Sequence, residues 1–290
     1  MTMKRIPLII MLLILAAART AMGADYTTTY RDCTINWTRG VITTTATANL
    51  DADETGQPVD FSDRSPLSLN RARSDAAVRA REAGRESVMA AVRTIRIDPG
   101  MRIKDLLATD DTLQRRLAEA LNSFAKYRTY PSGHGGSVCE LSLGIGDVVA
   151  SLPYDFPREE LPVIDDTPLK TDYTSLLIDC RGLGLEPMIF PSVYNDDGVE
   201  VYGRKFVDSA IAAKYGTVAF CGAEEEARSI KRAGGHPLFT IALKSVHGNP
   251  VISNRDARRI LGSTVTRNNL KKCRVILILD RKETSAMRTP

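Results

Sequence analysis

Apolar and polar residues change their period along this chain, and the changes divide it into elements. Residues 32–50, DCTINWTRGVITTTATANL, are rich in Thr, Val and Ile and break at Thr38-Arg39-Gly40. That predicts a two-stranded hairpin with Trp37 near its tip. The polar stretch DADETGQPVDFSDRSP that follows predicts a loop. Over residues 67–95 the period becomes helical: Ala72, Ala76, Ala80, Ala83, Ser87, Val88, Ala91, Val92 and Ile95 recur at steps of three and four, with Gly84 as the weak point. Arginine and glutamate fill the rest of the wheel. A long amphipathic helix is expected, with a small-residue seam that lets it lie close to a sheet, stopped at Asp98-Pro99-Gly100. A second helix is predicted over Asp111–Phe124, capped by Asp110 or Asp111, with Leu113, Leu117, Ala120, Leu121 and Phe124 facing inward. AKYRTYP and SVCELSLGIGDVVA then predict two strands across the turn SGHGG.

Pro153, Pro157, Pro162 and Pro168 punctuate residues 151–170 among acidic residues, which predicts a stiff linker. Beyond it YTSLLIDC predicts a buried strand, and PMIFPSVY and VEVYG flank NDDG as a hairpin. KFVDSAIAAKYG predicts a short helix closed by Gly216, TVAFC a strand, and AEEEARSIKRAGG a helix whose acids precede its bases. HPLFTIALKSV predicts one strand, SNRDARRILG a helix between Ser253 or Asn254 and Gly262, and CRVILILD a closing buried strand. The fold class is therefore α+β in two domains. The first, residues 24–150, is a small sheet packed by a long amphipathic helix. The second, residues 171–282, is a mixed α/β sandwich, and 283–290 form a tail.

The opening residues, MTMKRIPLIIMLLILAAARTAMGADY, have the parts of a secretory signal: Lys4 and Arg5, an apolar run, and Ala21-Met22-Gly23 before a cut at Ala24. The apolar run falls short of the roughly 20 residues that cross a bilayer as a helix. The expectation is a signal peptide over residues 1–23, an exported and periplasmic chain, and no transmembrane segment after cleavage. Losing Lys4, Arg5 and Arg19, with no acidic residue, brings the formal charge of +4 down to +1. That near-neutral balance gives no electrostatic footprint for nucleic acid. Cys33, Cys139, Cys180, Cys221 and Cys273 are odd in number, so at least one is unpaired, and their spacing fixes no disulfide connectivity. No two stand at C-x-x-C spacing for zinc, and none follows the signal where a lipid-modified cysteine would stand. Buried small hydrophobes are their expected role.

Candidate chemistry is sparse. SLLIDCRGLGLEP breaks from an apolar run into Arg181-Gly182-Leu183-Gly184, as a phosphate loop would begin. A phosphate loop leads into a helix whose first amides hold the anion, whereas Leu185-Glu186-Pro187-Met188 cannot open one, so a turn is expected. His134, His236 and His247 sit near glycines in loops without metal-ligand spacing. Residues 195–200 gather oxygen ligands but read as a hairpin turn rather than a calcium loop. The arginine-rich face of residues 71–96 reads as a solvated face with Glu82 and Glu86 interleaved. No catalytic, cofactor-binding or metal-ligating residue is assigned, and no enzyme activity is expected.

INWTRGVITTTATANL followed by NRARSDAAVRAREAGRESVMAAVRTIRIDPGMRIKDLL resembles the amino-terminal region of bacterial flagellar assembly and outer-membrane lipoprotein-like proteins, the flagellar P and T proteins among them. Trp37 on a strand pair, the Arg/Ala-rich helix and the IRID strand at 95–98 match that layout. YTSLLIDCRGLGLEPMIFPSVYNDDGVEVYG looks like the carboxyl-terminal domain of longer exported members. The resemblance implies a noncatalytic role in the cell envelope, in contact with other envelope or flagellar proteins and with its own copies; the lipoprotein members carry a cysteine where this chain has Gly23-Ala24. A structural or assembly protein is the expectation. The alternative is a periplasmic binding module for a small anion or glycan, using the glycine loops at 182–184 and 133–136.

Overall fold

The computed structural model describes residues 25–133, 135–162 and 171–281. The signal reading over residues 1–23, His134, the whole of the tail at 283–290 and residues 163–170 of the linker lie outside the described residues.

The first half is an antiparallel sheet under one long helix. β1 (Thr27–Tyr30), β2 (Cys33–Asn36), β3 (Val41–Ala48), β6 (Lys126–Pro131) and β7 (Ser137–Gly144) take the order β1-β2-β3-β7-β6. Alternation builds the sheet: Ile42 and Thr44 of β3 are buried, and Thr44 satisfies its hydroxyl by donating to the Asp32 carbonyl at 3.0 Å. α1 (Leu69–Thr94) begins where the Ser68 hydroxyl accepts from the Arg71 amide. Its buried stripe is Ala72, Ala76, Ala80, Gly84, Val88, Ala91 and Val92, so Gly84 belongs to the seam that meets the sheet. The helix stops four residues before the predicted Asp98-Pro99-Gly100, because Ile95 turns extended and Arg96–Asp98 forms β4, paired with β5 (Met101–Arg102). α2 (Ile103–Leu107) and α3 (Asp111–Phe124) follow, the latter capped by Asp110. Phe124, predicted inward, is 56% exposed, since the helix ends there and the chain turns into β6. SVCELSLGIGDVVA is not one strand: the chain leaves β7 at Gly144 and coils into α4 (Ile145–Ser151).

The second half holds two four-stranded sheets. β8 (Ser175–Asp179), β11 (Ala219–Cys221), β12 (Pro237–Ile241) and β15 (Val275–Ile278) form a parallel sheet in the order β11-β15-β8-β12. β8, β11 and β15 are near-continuous buried runs, as burial on both faces requires, whereas the edge strand β12 alternates. β9 (Val193–Asn195), β10 (Glu200–Tyr202), β13 (Lys244–Val246) and β14 (Asn249–Ile252) form a mixed sheet in the order β10-β9-β14-β13. The predicted strand HPLFTIALKSV is thus split at Ala242-Leu243 between two sheets. α5 (Ser209–Tyr215), α6 (Glu224–Ser229) and α7 (Asn254–Leu261) appear where the pattern placed helices, though α6 ends at Ser229 and leaves the expected basic end, Lys231 and Arg232, in a turn; α8 (Thr264–Lys271) has no counterpart in the pattern. The fold is α+β in two domains, the second beginning at β8.

The halves share one buried core, which runs from Ile35 and Leu143 through Ile97 and Ile189 to Leu277. β4 adds backbone bonds to the second half: the Ile189 and Phe190 amides donate to the carbonyls of Arg96 and Ile97 at 2.9 and 2.8 Å. Residues 152–162 lie along the second half, with Tyr154 and Phe156 edge-on to Phe190.

Candidate functional site at the junction of the two halves

The Arg181-Gly182-Leu183-Gly184 stretch leaves the carboxyl end of β8, the position at which open α/β sheets hold ligands. Gly182 and Gly184 both adopt positive φ, +80° and +65°, so each supplies a backbone conformation that a side chain would strain. The loop makes a turn and enters no helix, as its Glu-Pro continuation predicts. Its charges answer one another. Arg181 clamps Asp179 through Nε (2.9 Å) and Nη2 (2.6 Å), holding that carboxyl below the usual carboxylate range. The Gly182 amide donates to Asp280 beyond β15 at 2.8 Å, and Arg281 pairs with Glu226 at 2.5 Å.

Beside this rim the first half is docked. The Tyr26 hydroxyl donates to the Asp280 carbonyl at 3.0 Å, and burial raises the Tyr26 pKa. The Thr38 hydroxyl, at the hairpin tip, donates to the Phe220 carbonyl in β11 at 2.8 Å. Trp37 sits edge-on to Phe220 with ring centroids 5.7 Å apart, its indole N–H satisfied by Thr28. Trp37, expected near a hairpin tip, is therefore an anchor between domains.

Several clefts flank the junction, one of about 270 Å³ lying between Thr28, Trp37 and Thr94 of the first half and Glu186-Pro187 of the second. A larger one, about 410 Å³, lies between the Pro99-Gly100 turn and the loop at 183–188, with His247 and Gly248 also lining it and Gly248 close against Pro99. Arg96 crosses it to Glu186 at 2.6 Å, with Arg102 at 3.5 Å from the same carboxylate. Glu186 is thus the receptor for the β4–β5 hairpin, a role that needs the tertiary structure to be seen. Another cleft, about 230 Å³, lies between Trp37, Gly146 and Val149 on one side and Lys214, Thr217 and Arg232 on the other.

The remaining candidates stay apart. His236 bonds the Asp172 carbonyl at 2.9 Å and lies against Tyr173, while His247 is exposed at φ +48°. Asn195 closes its turn by accepting the Val199 amide at 2.7 Å, Asp196 and Asp197 face solvent, and Glu200 pairs with Lys205 at 2.8 Å. Those oxygens do not converge. Arg71 pairs with Asp75, Arg79 with Asp51, and Arg81 lies over Tyr127, so part of the arginine face is tied to the first half itself. All five cysteines are buried and free. Burial raises the Cys33 and Cys180 pKa values and pushes the Cys221 and Cys273 thiols up to about 12, which keeps them protonated and unreactive.

Residues 175–281 match the model of a family described as Treponema pallidum Tp0624, second domain. The matched segment opens at β8, contains both sheets of the second half and the 181–187 loop, and closes just past β15, so that half is similar to this domain. No curated protein matches the chain.

Proposed function

We propose that the protein is an exported structural or assembly component of the bacterial cell envelope, associated with the flagellum, and that it acts by contact with other proteins and with its own copies rather than by catalysis. The observation that carries this reading is a corner of the second half where both sheets end. β12 is the edge of the parallel sheet, β13 is the edge of the mixed sheet, and only Ala242-Leu243 separates them. Ile241, Leu243 and Val246 are 62%, 53% and 39% exposed there. Open strand edges offer unpaired N–H and C=O groups, and an apolar cluster beside them is the kind of surface that folded chains keep for a partner. Lys244 is the one charge along β13.

The other supports are the signal reading of residues 1–23 and the resemblance of the first half to flagellar P and T proteins. The self-paired charges on the rim of the parallel sheet and the protonated cysteines favour contact over chemistry. Pairing of the corner with a second copy would generate a closed ring or an open filament, depending on the rotation between copies.

The test is light scattering over a concentration series, with the wild type beside a Leu243→Lys/Val246→Lys variant. Both positions are exposed, so the variant keeps the fold and places charge on the edge. The expected result is a multimer that the variant dissociates. A wild type that stays monomeric at every concentration, or a multimer that the variant leaves intact, refutes the corner as the contact surface.

A further inference from the structure

We propose that the cleft between Trp37 and Arg232, at the junction of the two halves, is a binding site for a small oxyanion, held by Arg232 with Lys214 and Lys231 at its mouth. The cleft is walled by the hairpin tip and α4 of the first half and by residues 214–220 and 230–232 of the second. Among the described residues its lining includes Arg39, Lys214, Lys231 and Arg232 but no Asp or Glu. Arg39 is already paired, with Asp25 at 2.5 Å, so the uncompensated charge is that of the two lysines and Arg232.

Arg232 is the centre of the argument. One guanidinium nitrogen, Nη2, donates to the Tyr215 carbonyl at the end of α5. The other, Nη1, is enclosed and without a hydrogen-bond partner among the described residues. No carboxylate among the described residues pairs with this side chain; the groups around it are Tyr202, Cys221 and Cys273. Burial raises the pKa of each of those, so they stay neutral and supply no counter-charge at pH 7. Burial also lowers the Arg232 pKa, yet a guanidinium titrates far too high to lose its proton in a protein. A desolvated cation with an idle N–H is costly unless something negative sits beside it. An oxyanion is that something, since its oxygens accept charge-assisted bonds from a guanidinium and from ammonium groups together.

Size limits the occupant. A cavity of about 230 Å³ holds roughly seven waters, each taking about 30 Å³ of liquid, and falls below the roughly 300–1,000 Å³ of pockets for drug-sized ligands. Phosphate fits that description and a nucleotide does not. A glycan would need carboxylate or amide acceptors as well as donors, and the cationic lining favours the anion. The site is separate from the glycine loops at 182–184 and 133–136. Because both halves wall the cleft, a bound oxyanion also fixes one half against the other.

Thermal unfolding of the purified protein in sodium phosphate, against sodium chloride at matched ionic strength, tests the proposal. The expected result is a saturable rise in melting temperature with phosphate, since a ligand that binds only the folded state stabilises it by mass action. The Lys214→Ala/Lys231→Ala variant, altered only at exposed positions, is expected to need on the order of tenfold more phosphate for the same rise. Arg232→Met is expected to lose the response. Equal effects of phosphate and chloride on the wild type, or a phosphate response unchanged in the lysine variant, overturn the site, and that variant decides the matter if Arg232→Met does not fold. Cosedimentation with phosphatidylglycerol vesicles that free phosphate displaces would identify the oxyanion as a lipid head group. A phosphate response without cosedimentation would identify it as a free anion.

Discussion

Gly146 stands where α4 of the first half crosses α5 of the second, and replacing it with alanine tests whether the two domains are one packed unit. A Cβ built there would lie 1.9 Å from the Ala213 carbonyl oxygen, where real Cβ atoms essentially never come closer than 3.0 Å. The helices must therefore part by more than an ångström, and neither can yield easily. α4 is tied down by the Ile145 amide on the Gly40 carbonyl at 2.8 Å and by buried Val148 and Val149. α5 is held by its Asp208 cap and fully buried Ala212. Overpacking a core costs about 1–3 kcal/mol, and a clash between two backbones belongs at the upper end, about 3 kcal/mol. For a chain of this size each kcal/mol is worth roughly 2–4 °C, so Gly146→Ala should melt on the order of 10 °C below wild type. Urea unfolding followed by tryptophan fluorescence is the assay, because Trp37 lies at the same junction. The midpoint should fall, and a second transition should appear if the halves separate before they unfold. Gly235→Ala, which meets nothing within 4 Å, is the control. A Gly146→Ala midpoint equal to that of the control would refute the close crossing of α4 and α5.

Other substitutions probe the seam and the rim. Gly84→Ala should stabilise the protein by about 1 kcal/mol in urea titration: alanine is the better helix former, and its Cβ would meet Ala46 and Leu141 at the ordinary contact distances of 3.6 and 3.7 Å. A loss of stability would mean that the seam is closer than these distances. Asp179→Asn should cost about 1 kcal/mol at pH 7, a figure kept low because the Arg181 side chain is 46% exposed. The Arg181 clamp depresses the folded-state pKa of Asp179, so its stabilisation is present above the ordinary carboxylate range and is lost as pH falls through the depressed value. Wild type and variant should therefore converge in stability as the pH falls below the depressed Asp179 pKa, and a difference that persists once Asp179 is protonated would show that it acts by shape rather than charge.

Periodicity carried α1 and α3 because each is long and has a single apolar stripe. It failed at α4 and α8, which are short. SVCELSLG alternates as a strand must, but the helix after it begins at Ile145 with no side-chain cap hydrogen bond, and apolar residues on both sides of Gly144 hid the change. HPLFTIALKSV alternates well enough to pass for one strand, and only the sheet pairings reveal the break at Ala242-Leu243. The glycine loop was legible as a turn because Glu-Pro cannot open a phosphate-binding helix. Arg232 was not legible. In AEEEARSIKRAGG it looks like one more base balancing the helix dipole, and its burial depends on strands and helices distant in sequence.

The sequence by itself determined the local elements whose signals are local: the seam of α1, the capped starts of α3 and α7 to within one residue, the NDDG turn, and the apolar runs of β8 and β15. Each follows from side-chain period or backbone freedom within about ten residues. Only the tertiary structure decided which elements meet. It seats Trp37 on Phe220, joins Arg96 to Glu186, ends two sheets at one corner, and leaves the Arg232 guanidinium without a carboxylate among the described residues. Contacts between the halves join segments up to 254 residues apart, where periodicity records that a face is buried but not what covers it.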